Sequence, residues 1–139
     1  MSESVDRVLV VDDDAAIRVT LKAFLESKGL LVDTAGNGAE ALDLLNRGPL
    51  PDVILLDLVM PVLAGWQFLD LKAADERLKP IPVVLSTAFE HEGVRLNYVV
   101  AMLRKPFDLE RLLQELRKAI AGRAPPRPDT RREADAGEP

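Results

Sequence analysis

A doubly wound α/β fold, with a five-stranded parallel sheet covered by helices on both faces, is the class this sequence predicts. Short apolar runs alternate with stretches of helical periodicity from residue 7 to residue 122. The runs are almost wholly apolar, as in strands buried on both faces, where polar alternation is lost. Gly, Asn, Asp or Pro marks most of the changes from one pattern to the next.

The first strand is Val8-Leu-Val-Val11, followed by a helix from Asp14 to Lys28 with Ile17, Leu21, Phe24 and Leu25 at helical spacing and Gly29 as its stop. Asp14 is read as the cap of that helix, because its carboxylate can accept the free N–H groups of the first turn. Leu30 to Ala35 forms the second strand, and Asn37 caps a short helix that buries Ala41, Leu42 and Leu45 before Gly48-Pro49 ends it. Val53 to Leu56 is the third strand, and a helix spans Trp66 to Ala74, with Trp66, Phe68 and Leu69 read as packing residues. Pro82 to Ser86 is the fourth strand, a weak helical stretch lies near Gly93 to Asn97, and Val99 to Leu103 is the fifth strand. The last helix is the clearest: Asp108 caps it, Leu109, Leu112, Leu113, Leu116 and Ile120 form its buried stripe, and Gly122 stands at its stop.

Composition narrows the function classes. The 139 residues carry 18 Lys+Arg and 23 Asp+Glu, a net charge of -5, and are 47% hydrophobic, enough for one sizeable core. Zero Cys excludes a disulfide framework, a thiolate metal site and a thiol nucleophile, so a reducing cytoplasm is expected. No apolar run reaches the ~18 residues of a membrane span, and the first seven residues lack an export signal. An acidic balance argues against direct DNA binding, which draws on Lys and Arg to neutralise phosphates. Residues 123–139 hold four Pro, four Arg, four acids and no large apolar side chain, so a folded domain over 1–122 and a disordered tail over 123–139 are expected. The tail's charges cancel, which leaves the acidity on the folded part.

Ligands of open parallel sheets bind beyond the carboxyl ends of the strands, where the strand order reverses. The polar groups collect at those ends: Asp12-Asp13-Asp14 after the first strand, Asp57 after the third, Ser86-Thr87 at the fourth and Arg104-Lys105-Pro106 after the fifth. In the flavodoxin-like order 2-1-3-4-5 the first and third strands are neighbours, so Asp12, Asp13 and Asp57 converge. Three carboxylates in one crevice call for a hard divalent cation, and Mg2+ suits them because it takes a few oxygens and keeps waters for an incoming phosphate. Asp57 beside such an ion is equipped to accept a phosphoryl group as an acyl phosphate. Lys105 and the Thr87 hydroxyl are then placed to meet the negative charge on the transferring oxygens.

Four strings carry a resemblance. Val10-Val-Asp-Asp-Asp14, Ile54-Leu-Leu-Asp57-Leu-Val-Met60-Pro61 with Gly65, Val84-Leu-Ser-Thr87-Ala88, and Leu103-Arg-Lys105-Pro106-Phe107-Asp108 resemble, in order, the receiver domain of two-component response regulators over residues 7–122. The resemblance implies Asp57 as the phosphoacceptor, Asp13 and Asp57 as direct Mg2+ ligands, Asp12 acting through water, and the Val59 carbonyl as a further ligand. It also implies Thr87 as the switch hydroxyl, Lys105 as the ion-pair partner of the phosphoryl group, and a cis bond between Lys105 and Pro106. The function implied is a single-domain, chemotaxis-type response regulator, not an enzyme with a separate substrate. It would take its phosphate from a histidine kinase or histidine phosphotransfer protein and change affinity for a downstream protein, as a monomer or weak dimer.

Some positions depart from the family pattern. Met102 stands where an aromatic residue usually precedes the lysine by three, and seventeen residues separate Thr87 from Lys105, which predicts a short helix before the fifth strand. Val59 and Phe89, both apolar, occupy positions that tune phosphoryl lifetime in the family and predict a long-lived phosphoryl-aspartate. Ser86 is confusable with the switch hydroxyl, but Ala88 directly after Thr87 favours the latter. His91 has no second ligand residue near it in sequence and is assigned nothing. Two other classes stand beside this one: a pseudo-receiver that only binds partners, and a dinucleotide-binding domain suggested by Gly36-Asn-Gly38-Ala-Glu-Ala41 with Asp57 about 20 residues on.

Overall fold

Leu9 and Val11 bury on one side of their strand and Val8 and Val10 on the other, and this two-sided burial organises the molecule. The structure, a computed structural model, describes residues 5–57, 65–87 and 99–122. In chain order these form β1 (Arg7–Val11), α1 (Ala15–Ser27), β2 (Leu31–Ala35), α2 (Gly38–Arg47), β3 (Val53–Asp57), α3 (Gly65–Ala73), β4 (Val83–Thr87), β5 (Val99–Arg104) and α4 (Leu109–Gly122). All neighbouring strands are parallel, in the order β2-β1-β3-β4-β5 that the sequence predicts. The stretch near Gly93 to Asn97, together with Val59, Phe89, His91 and the segment 123–139, lies outside the described residues.

Each face of the sheet has its own apolar layer. Val8, Val10, Val53, Leu55, Val84 and Leu103 pack against Leu21 and Leu25 of α1 and Leu112 and Leu116 of α4. On the opposite face, Leu9, Val11, Ile54, Leu56, Val83 and Leu85 meet Ala41 and Leu45 of α2 and Phe68 of α3. The expectation of wholly buried strands holds for β1 and β3 and fails at the margins. Among the described residues β2 and β5 each have one strand neighbour, and Leu31, Val100 and Met102 on them are exposed. The second strand also begins at Leu31 rather than Leu30, whose N–H is drawn back to the Leu25 carbonyl at the end of α1.

Capping fixes where the helices begin. Asp14 Oδ1 accepts the Ala16 and Ile17 N–H groups at 2.9 and 3.2 Å, and Asn37 Oδ1 accepts that of Glu40 at 2.8 Å. Gly29, with φ of 91°, turns the chain out of α1 in the left-handed region that favours glycine.

Candidate functional site

Two strand ends and one loop build an acidic crevice. Asp57 closes β3, and Asp12 and Asp13 follow β1, which lies beside β3 in register Val11↔Leu56. A carboxylate oxygen from each of Asp12, Asp13 and Asp57 lies within 4.8 Å of the others. Asp12 and Asp57 are buried at 3% and 6% exposure, whereas Asp13 opens to solvent. Hard oxygen donors in a partly open cluster suit a small divalent cation that keeps some of its waters.

Asp12 is fixed from several directions. Its N–H continues the sheet ladder to the Ala35 carbonyl at 3.1 Å, and Arg18 holds its carbonyl at 2.7 Å. Its Oδ1 accepts the Asp14 N–H at 2.9 Å, so Asp14 both caps α1 and steadies its neighbour. Its Oδ2 is left for Lys105, which donates to it at 3.0 Å and to Asp57 Oδ2 at 3.2 Å. One ammonium thus bridges the two buried carboxylates. Burial alone lowers the Lys105 pKa, but the hydrogen bond and charge of Asp12, and then of Asp57, outweigh it and raise the pKa above the ordinary lysine range.

The predicted residues therefore meet in part. Asp12, Asp13, Asp57 and Lys105 share one site, and Lys105–Pro106 is cis. Thr87 ends β4, in register with Arg104, but its side chain and the whole of Val59 lie outside the described residues. Met102 is on the solvent side of β5 with Val100. The glycine string is a helix start: Glu40 Oε1 accepts the Gly36 N–H at 2.7 Å while Asn37 caps α2. Sequence reasoning gave Ser86 no role of its own, yet it is the β4 residue paired with Asp57, and its buried hydroxyl has no hydrogen-bond partner among the described residues. The signal for it is the β3–β4 register, which only the folded sheet supplies.

Comparison with known proteins places the chain. The model for the response regulator receiver domain matches residues 8–117, and the chain belongs to that family. It is 39% identical over 119 residues to the response regulator Rre1 of Synechocystis, covering 82% of this chain and 51% of that protein. Against the response regulator MprA of a Mycobacterium species it is 36% identical over 124 residues, covering 86% of this chain and 52% of the relative. The chain thus spans about half the length of these curated relatives. Among solved structures, the chemotaxis protein CheY4 of Vibrio cholerae superposes with a TM-score of 0.75 at 30% identity, covering 84% of this chain and 99% of its own. The response regulator TrrA of Thermotoga maritima, solved in complex with Mg2+ and a beryllium fluoride, gives a TM-score of 0.72 at 31% identity, over 83% of this chain and 99% of its own. No helix among the described residues is long and apolar enough to cross a membrane.

Proposed function

We propose that this chain is a phosphoryl-accepting switch whose acceptor is Asp57. The observation that carries the reading is the buried Asp57 carboxylate held by Lys105 within a cluster shared with Asp12 and Asp13. An Asp57 oxygen attacks the phosphorus of a phosphohistidine on a kinase or phosphotransfer protein. A P–O bond forms, the P–N bond breaks, and the imidazole leaves to be protonated by solvent. Lys105 keeps Asp57 oriented before transfer and faces the negative oxygens as they arrive, at no cost of reorganising water.

Asp13 and Asp57, with Asp12 through water and the Val59 carbonyl, would hold Mg2+, which when bound supplies further positive charge to the phosphoryl oxygens. The Thr87 hydroxyl turns toward the phosphoryl group and selects one arrangement of the neighbouring loops, which shifts the population that a downstream protein recognises. The protein then works in the cytoplasm through protein partners, without binding DNA itself and without turning over a separate substrate.

Beryllium fluoride, which mimics a phosphoryl group on a carboxylate, tests the reading. With Mg2+ present it should raise the unfolding midpoint of the wild type and leave Asp57→Asn unmoved. Equal shifts in both proteins, or none in either, would refute Asp57 as the acceptor.

A further inference from the structure

A second hydroxyl, that of Ser86, lies on the strand beside Asp57. Lys105 follows β5 and its ammonium reaches Asp57 on β3, so the side chain spans the width of β4, which lies between them. The β4 residue on that face is Ser86. It is two residues on from Val84, as Asp57 is from Leu55, and Val84 and Leu55 share the layer beneath α1 and α4. The register pairs Ser86 with Asp57 on one side and with Leu103, two residues before Lys105, on the other.

Two groups with unused hydrogen-bonding capacity stand on that face. Ser86 is 2% exposed, and its Oγ has no hydrogen-bond partner among the described residues. Lys105 donates to Asp12 and Asp57, which leaves the third N–H of its ammonium without a protein acceptor among those residues. A buried hydroxyl is rarely left unsatisfied, and a lysine on a four-carbon stem with two bonds can still rock. We propose that Ser86 is a positioning residue for Lys105: its Oγ, turned toward the ammonium, accepts the third N–H and fixes the ammonium where the phosphoryl oxygens arrive. The same hydroxyl is small enough to let the lysine stem cross β4.

This inference rests on the phosphoryl-acceptor reading, and its test separates the two. With acetyl phosphate as donor, the Asp57 oxygen forms the new P–O bond, the bond from phosphorus to the acetyl oxygen breaks, and acetate leaves. Rates of incorporation with Mg2+ are compared for wild type, Ser86→Ala, Ser86→Thr, Lys105→Met and the Ser86→Ala/Lys105→Met pair. Denaturation midpoints of the same proteins are taken without donor or metal.

Ser86→Ala should slow incorporation about three- to tenfold, Ser86→Thr should recover most of it, and Ser86→Ala should make no further difference once Lys105 is Met. The midpoint shifts of the two single substitutions should also fail to add. If Ser86→Ala matches wild type in rate, or slows the Lys105→Met protein as much as the wild type, the positioning role is refuted. If the midpoint shifts add, the contact itself is absent and the residue serves only by its size. Should the wild type take no phosphate while the midpoints still fail to add, the acceptor reading falls and the contact stands without a role in transfer.

Discussion

Lys105 bridges the two carboxylates that the ends of β1 and β3 bury side by side. Removing one partner of a buried charged group leaves the other with its desolvation cost uncompensated. Lys105→Met should therefore lower unfolding free energy by about 1–3 kcal/mol, measured by chemical denaturation, and Mg2+ should recover part of it. Lys72 behaves in the opposite sense. It is 2% exposed, its Nζ donates to the Lys79 carbonyl at 2.9 Å, and burial lowers its pKa to about 8. The unfolded chain returns it to ~10.4, so between pH 8 and 10 the unfolded state holds more protons and stability rises with pH. Lys105, raised rather than lowered, loses its contribution only above that range. Denaturation midpoints of wild type should rise relative to Lys72→Met between pH 7.5 and 10; parallel profiles would contradict the buried-ammonium account.

At the scale of elements, α4 ties the site to the core. Its Leu112, Leu113, Leu116, Ala119 and Ile120 are buried against the layer that carries Val84 and Leu103 under Ser86 and Lys105. Leu116, fully buried, should cost about 2–5 kcal/mol as Leu116→Ala, read as a lower denaturation midpoint. Much of this scale was legible in the sequence: the stripe of α4, the Asp14 and Asn37 caps and the Gly29 stop all stand where periodicity and capping chemistry put them. What was not legible has a physical cause. Apolar composition says a strand can be buried but not whether it has one neighbour or two, so the exposure of Leu31, Val100 and Met102 followed only from the edge positions of β2 and β5. Asp12, Asp13, Asp57 and Lys105 could be placed together because every one stands at the carboxyl end of a strand. The pairing of Ser86 with Asp57 needed the register between β3 and β4, which spacing along the chain does not contain.

For the whole molecule, the switch-point geometry turns one parallel sheet into an acidic crevice bridged by the Lys105 ammonium. Metal bound to the native state alone would stabilise it by about 2.7 kcal/mol at a concentration 100-fold above its dissociation constant. Mg2+ should accordingly raise the thermal midpoint of the wild type, and Asp13→Asn should blunt the rise, since Asp13 is the open, exposed member of the cluster. Family membership and fold agree with a site whose chemistry centres on Asp57. Intact-mass analysis after incubation with acetyl phosphate and Mg2+, with Asp57→Asn in parallel, tests whether Asp57 is the acceptor. The wild type should gain the mass of one phosphoryl group, Asp57→Asn none, and neither protein any when a chelator removes the metal. No increment on a folded wild type with active donor and metal, or an equal increment on both proteins, would contradict it.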